Sequence, residues 1–356
     1  MSRVSHEPYL TTVALLLSAS CTLAAFNPSG NTNLVAYWGQ DSYGATHSSD
    51  TANFQTNLAH YCQDDTVDVF PLAFVDVFFG IGGVPEINFA NSCNDVDDAV
   101  FPGTDLANCQ FMAADIQTCQ AAGKIVTLSM GGATGAATFT SDAQARVSQT
   151  LSGIFSWEDL RVLDGLDLDI EGGGSTGFAA FVTRIRSHAA GASKPYYISA
   201  APQCPFPDAF LGPILNAVGF DFVYVQFYNN FCELSVPSQY NFAQWDNWAK
   251  TTSPNRNVKI YVGAPASPTA ANNGYVPPAT LAGILQSTKA QFSSFGGAML
   301  WDISQAFANG RYDQSAKSAL LGSSRAATSA LASDISTDSV HVQSKSAAAS
   351  TLASGQ

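Results

Sequence analysis

Eight short runs rich in β-branched and aromatic residues punctuate this chain, at 34–38, 69–75, 125–129, 165–170, 196–201, 222–227, 259–264 and 298–301. Each is followed by Gly, Pro, Asn or Asp in a turn, and longer helix-compatible segments separate them. Strands alternating with helices imply parallel βαβ units, and eight such units imply closure into a ring. Length alone leaves two ordinary domains open beside one barrel of roughly 250 residues with appendages. The number of runs selects the second: an α/β chain, a single (β/α)8 TIM barrel over 26–322. With 46% hydrophobic and 12% charged residues, there is ample apolar material for one large core.

The flanks read differently. In 1–25, Arg3 lies in a short leader, an apolar core covers 10–17, and Ala24-Ala25 ends it with small residues, the pattern of an export signal. The apolar stretch is too short to span a bilayer of about 30 Å. From 323 to 356 the composition shifts to Ser, Ala and Thr without a sustained apolar period, which reads as a disordered tail, with no closing apolar run for a lipid anchor. Export is therefore the expectation, to the extracellular space or cell wall. Removing the leader removes Cys21 and leaves Cys62, Cys93, Cys109, Cys119, Cys204 and Cys232. An even set in an exported chain suggests three disulfides, but six cysteines allow about 15 pairings and spacing does not choose among them. No CxxC pair occurs and the five histidines are scattered, so neither a metal nor another cofactor is expected. The net charge of -13 argues against nucleic acid or anionic membrane as a partner and favours a neutral or cationic substrate.

Barrel active sites sit at the C-terminal ends of the strands. Those ends offer Tyr37, Trp38, Phe74, Ser129 with Gly131 and Gly132, Glu171, Gln203, Gln226 with Tyr228 and Asn229, and Trp301. Aromatics and amides predominate, a lining suited to sugar rings, whose C–H faces pack on aromatic planes while their hydroxyls meet amides. For Tyr37, Phe74 and Trp301 the plainer reading is core packing, for Tyr228 a buried hydroxyl satisfied by backbone, and for Ser129 a structural hydrogen bond. Gly131 and Gly132 read as sites of close backbone approach.

The acidic octet Asp164-Gly-Leu-Asp-Leu-Asp-Ile-Glu171 is the most informative stretch. Strand periodicity puts Asp167, Asp169 and Glu171 on one face and Leu166, Leu168 and Ile170 on the other. In a barrel strand the outer face is covered by helices, so the acids point inward. Acids spaced about 7 Å apart along one face cannot all ionise cheaply, and one retains a proton near neutrality. Glu171, last on the strand and longest, is the candidate acid of a glycosidase. Asp169 leaves the same strand in the same direction, so it cannot attack from the opposite side of the scissile bond. The nucleophile must then come from the substrate, and a 2-acetamido group supplies one.

With these residues stand Leu34-Val-Ala-Tyr37-Trp-Gly-Gln40, Leu128-Ser129-Met-Gly-Gly132, Ala200-Ala-Pro-Gln203-Cys-Pro-Phe-Pro-Asp208, Val225-Gln226-Phe-Tyr228-Asn-Asn230, Gly274-Tyr-Val-Pro-Pro278 and Met299-Leu-Trp301. In this order, over nearly all of 30–320, the chain resembles the class III, plant and fungal hevamine-type branch of glycoside hydrolase family 18. The resemblance implies an endo-acting chitinase that hydrolyses β-1,4-linked N-acetylglucosamine with retention of configuration, a monomer acting on chitin or chitooligosaccharides. Carried over by position, Glu171 is general acid and base, Asp169 orients the acetamido group, Asp167 shares a proton with Asp169, and Tyr228 hydrogen-bonds the acetamido oxygen. Tyr37, Phe74, Gly132, Gln226, Asn229 and Trp301 would line the sugar subsites. It also implies the pairs Cys62–Cys119, Cys93–Cys109 and Cys204–Cys232. Gly172-Gly173-Gly174 and Asp302 depart from the pattern, which puts loop shape and subsite preference in question. A catalytically weak carbohydrate-binding protein on the same barrel and an endo-β-N-acetylglucosaminidase stand as alternatives.

Overall fold

The computed structural model describes residues 26–135, 138–147 and 162–322; the expected leader and tail lie outside these. Among the described residues nine strands form one sheet: β1 (Asn33–Ala36), β2 (Val69–Val77), β3 (Glu86–Ile87), β4 (Ile125–Gly132), β5 (Gly165–Ile170), β6 (Tyr197–Ala200), β7 (Phe222–Gln226), β8 (Lys259–Pro265) and β9 (Phe295–Trp301). All but β3 are parallel to their neighbours, in the order β1-β9-β8-β7-β6-β5-β4-β2. The pairing Val35↔Val69 joins β1 back to β2 and closes the (β/α)8 barrel. The helices are α1 (Ser42–Thr46), α2 (Leu58–Tyr61), α3 (Ala113–Ala121), α4 (Asp142–Val147), α5 (Phe178–Ala189), α6 (Gly212–Ala217), α7 (Phe242–Thr251), α8 (Pro278–Gln291), α9 (Ile303–Ala308) and α10 (Tyr312–Leu321).

Two-residue alternation sorts each strand between two cores. Leu34 and Ala36 of β1, Val223 and Val225 of β7, and Leu166, Leu168 and Ile170 of β5 face outward into the layer packed by helices. Val35, Tyr37, Phe222, Tyr224, Tyr261 and Met299 fill the barrel interior. Helices dock by their apolar stripes. In α5 Phe178, Phe181 and Val182 are buried, while Arg186 on its half-exposed flank pairs with Asp221 at 2.7 Å. Pro278 opens α8, where a missing N–H costs nothing, and Leu281 and Leu285 bury its inner face. From α10, Lys317 reaches Asp68 at 2.5 Å, and Asp68 accepts the N–H of Leu34 at 2.6 Å, pinning the barrel's lower rim.

Three differences from the sequence-based strand limits stand out. β2 and β4 run further than the hydrophobic runs, into the site. β9 begins at Phe295, three residues before the hydrophobic run, since Gly296 and Gly297 carry no β signal in the sequence; Gly297 has φ 150° and passes hard against the backbone of Asn33. The antiparallel strand β3 was not expected; it pairs Ile87 with Val75 and lengthens the wall beside β2. Disulfides join Cys62 to Cys119, Cys93 to Cys109 and Cys204 to Cys232, the pairs the family resemblance implied. Cys204–Cys232 ties the loops after β6 and β7. No helix among the described residues is long and apolar enough to cross a membrane.

Candidate active site

The C-terminal ends of the strands open into a cleft of about 320 Å³ lined by Gln40, Phe74, Asp76, Asn88, Gly131, Gly132, Asp169, Glu171, Gln226, Tyr228, Asn229 and Trp301 among others. Its floor is aromatic: the rings of Phe74 and Trp301 stack at 5.9 Å. Gly132 is required here. It sits at φ 83°, and a Cβ on it would lie 2.8 Å from the Phe74 ring. Gly131 likewise has positive φ and presses on the Asp169 backbone, so the two glycines permit the close approach expected of them.

The three acids of β5 point inward as the periodicity requires, but their partners differ. Asp167 is fully buried and accepts three hydroxyl hydrogen bonds, from Tyr37 (2.7 Å), Ser129 (2.7 Å) and Ser199 (2.7 Å). Burial pushes its carboxyl up, and the three hydroxyls oppose that. Asp169 is pushed well above the usual carboxylate range, first by burial and then by the charges of Glu171 and Asp167; its carboxyl hydrogen-bonds that of Glu171. Glu171 is raised by burial, while hydrogen bonds from Gln203, Gln226 and Asp169 pull it back. The carboxyls of Asp169 and Glu171 thus hydrogen-bond each other, beside the expectation from the family resemblance that Asp167 shares a proton with Asp169. Asp167 holds its three hydroxyls.

Amides fix the orientation of the pair. Gln226 donates from Nε2 to Asp169 Oδ1 (2.8 Å) and to the Ala201 carbonyl (3.0 Å), and lies 3.5 Å from Glu171 Oε1. Gln203 donates to Glu171 Oε2 at 3.2 Å. Its own amide is turned by Asn230, which donates to Gln203 Oε1 (3.2 Å), and its backbone N–H is held by Asp208 (3.0 Å). Tyr228 is 7% exposed, and its hydroxyl has no hydrogen-bond partner among the described residues. Burial and the charges of Asp169 and Glu171 hold that hydroxyl protonated, its pKa well above the ordinary tyrosine value. It lines the cleft next to the acid pair as a hydrogen-bond donor.

Of the residues expected to line the sugar subsites, Phe74, Gly132, Gln226, Asn229 and Trp301 line this cleft. The Asn229 side-chain oxygen is engaged by the N–H groups of Asn272 (2.9 Å) and Asn273 (3.2 Å). Tyr37 departs from expectation. At 1% exposure it lies one layer below the cleft, with its ring 5.5 Å from Trp301 and its hydroxyl on Asp167. A strand-end position says that a side chain is near the mouth, not which layer it occupies. Asp302 is fully buried, capping α9 through Gln305 N–H (3.0 Å) and holding Ser42 N–H (3.2 Å). Sequence reading missed Ser199, although it lies two residues before Ala201 on the inward face of β6, and it missed Asp76. Among the described residues no three His, Cys, Asp or Glu side chains are grouped to hold a metal ion.

The family model for glycosyl hydrolases family 18 matches residues 33–279, which contain every strand end of the site except Trp301. The chain belongs to glycosyl hydrolases family 18. Within that family it is 45% identical over 323 residues to Chitinase 1 of Rhizopus niveus, covering 88% of this chain and 62% of that protein. The chain therefore spans less than two thirds of that relative's length. It is 39% identical to a class III chitinase of Arthroderma benhamiae, over 90% of this chain and 96% of that protein. Among solved structures, a chitinase from Ipomoea carnea superposes with a TM-score of 0.65 at 27% identity, covering 81% of this chain and 99% of that one. The family 18 barrel and its acidic β5 thus rest on sequence and shape together.

Proposed function

We propose that this chain is an endo-acting chitinase that cleaves β-1,4-linked N-acetylglucosamine by a retaining, substrate-assisted route. The observation that carries the reading is the placement of the Tyr228 hydroxyl in one cleft with the hydrogen-bonded carboxyls of Asp169 and Glu171 and the aromatic rings of Phe74 and Trp301. Chitinase names among its relatives support the substrate.

In the forward step Glu171 gives its proton to the glycosidic oxygen as the C1–O bond breaks, and the acetamido carbonyl oxygen of the same sugar bonds to C1. The positive charge that forms on the resulting oxazolinium is stabilised by Asp169, which accepts the acetamido N–H, while Tyr228 donates to the acetamido oxygen and holds it against C1. The leaving chain departs with the proton. Glu171, now a carboxylate, takes a proton from a water that attacks C1, and the ring opens back to the acetamide with the β configuration restored. Asp167 touches no reacting atom in this scheme; held by Tyr37, Ser129 and Ser199, it sits beneath Asp169.

The test is hydrolysis of the N-acetylglucosamine hexasaccharide followed by NMR at early times. The β anomer should appear first, and Glu171→Gln should lose about a thousand-fold or more in kcat while still binding the oligosaccharide. The α anomer as first product would overturn the mechanism; binding without cleavage by the wild type would favour a carbohydrate-binding protein, and release of glycans from N-glycoproteins alone an endo-β-N-acetylglucosaminidase. Export fits this function, with 1–25 as leader, 26–322 as a monomeric catalytic unit stapled by three disulfides, and 323–356 as tail.

A further inference from the structure

One carboxylate in the cleft has no part in the scheme above. Asp76 lies near the end of β2, two residues beyond Phe74, and lines the same cleft as Glu171 and Trp301. Its Oδ1 is buried without a hydrogen-bond partner. The charges acting on it are acidic: Glu86 from β3 and Asp95 from the loop that follows. The adjoining end of β4 and its turn contribute uncharged Gly131, Gly132, Ala133 and Thr134, and across the cleft stand Asp169 and Glu171. Burial, reinforced by Glu86 and Asp95 and opposed by its own and the Val77 backbone N–H, raises its carboxyl to about 6.

A half-buried carboxylate amid like charges, with one oxygen shut away and unpartnered, is costly unless a cation offsets it. An amide would accept the N–H of a neutral acetamido group at far lower cost, so a carboxylate here calls for more than that group. Polymers of N-acetylglucosamine carry such a cation wherever a sugar has lost its acetyl group, as a 2-ammonium with three N–H donors. The sugar at the scissile bond cannot be that one, because its acetamido oxygen is the nucleophile. We propose that Asp76 selects a protonated glucosamine in a sugar position away from the scissile bond, so that partially deacetylated chitin is a preferred substrate class. This rests on the chitinase reading and adds to it a preference for charge.

The experiment compares the wild type and Asp76→Asn on two substrates, the fully acetylated hexasaccharide and a soluble chitosan of intermediate acetylation, with the products of the second sequenced by mass spectrometry. The ratio of kcat/KM on chitosan to that on the hexasaccharide should fall about five-fold or more in Asp76→Asn, chiefly through KM. Wild-type products should be enriched in glucosamine at one fixed position from the new reducing end, and the variant should lose that enrichment. An unchanged ratio, or wild-type products with glucosamine at random, overturns the proposal and leaves the chitinase reading intact. A wild type that cleaves neither substrate overturns that reading instead. The wild-type product sequences stand as evidence whether or not the variant folds.

Discussion

Tyr228 and Ser199 illustrate opposite uses of a buried hydroxyl. The Tyr228 hydroxyl has no partner within the described structure, so Tyr228→Phe removes no internal hydrogen bond. Its melting temperature should match the wild type, whereas kcat should fall about 100-fold, because a donor aimed at developing charge is lost. Ser199 behaves the other way. Its hydroxyl supplies Asp167 Oδ1 at 2.7 Å, and Ser199→Ala leaves a buried carboxylate short of a donor, a loss of about 1–3 kcal/mol visible in denaturant titration. Should Tyr228→Phe melt lower while keeping its rate, the assignment of that hydroxyl to the substrate is wrong. Glu171 and Asp169 were legible because alternation along one acidic strand leaves them no other face. Ser199, Asp76 and the depth of Tyr37 were not, because their roles depend on which neighbour across the barrel they meet, and no single strand records that.

Strand by strand, hydrophobic runs located all eight staves but misjudged the ends that enter the site. β4 is extended to Gly132 by ladder pairing with Asp169 and Ile170, not by its own side chains, and β9 runs through two glycines after its first residue. Pairing is a property of two strands, so propensity in one cannot reveal it. Gly132→Ala tests how tightly β4 packs on β2. With φ at 83° and Phe74 2.8 Å from the new methyl, the substitution should cost about 1–3 kcal/mol and displace the Phe74 ring from the cleft floor. Thermal melts and KM for the hexasaccharide should move together; an unaltered KM would show that Phe74 does not set the floor.

For the molecule as a whole, buried acids govern the dependence of stability on pH. Asp76, Asp167, Asp169, Glu171, Asp208, Asp302 and Asp313 are all raised by burial. The native state therefore binds protons that the unfolded chain releases, and the stability these groups confer is present in full below their ordinary values near 4 and lost as pH rises through the raised ones. Asp64 and Asp246, lowered by Arg311 and Lys250, act oppositely, but only as pH falls below about 4. Calorimetry should thus find a higher melting temperature near pH 5 than near pH 7.5, with relief of a net charge of -13 adding to the effect. A melting temperature that rises steadily from pH 5 to 7.5 would contradict this balance.

Closure of the ring by β1 has a bearing on how the protein is made. β1 rests on β9 along its whole length, from Asn33↔Gly297 to Ala36↔Leu300, and meets β2 through the ladder pair Val35↔Val69 and a bridge from Trp38 to Leu72. During vectorial synthesis the first stave leaves the ribosome long before the last. Until β9 arrives, β1 presents an apolar edge to whatever surrounds the nascent chain. The cell must therefore keep a nearly complete but open sheet from finding the wrong neighbour, and yield should depend on chaperone capacity during late elongation more than on the stability of the finished ring.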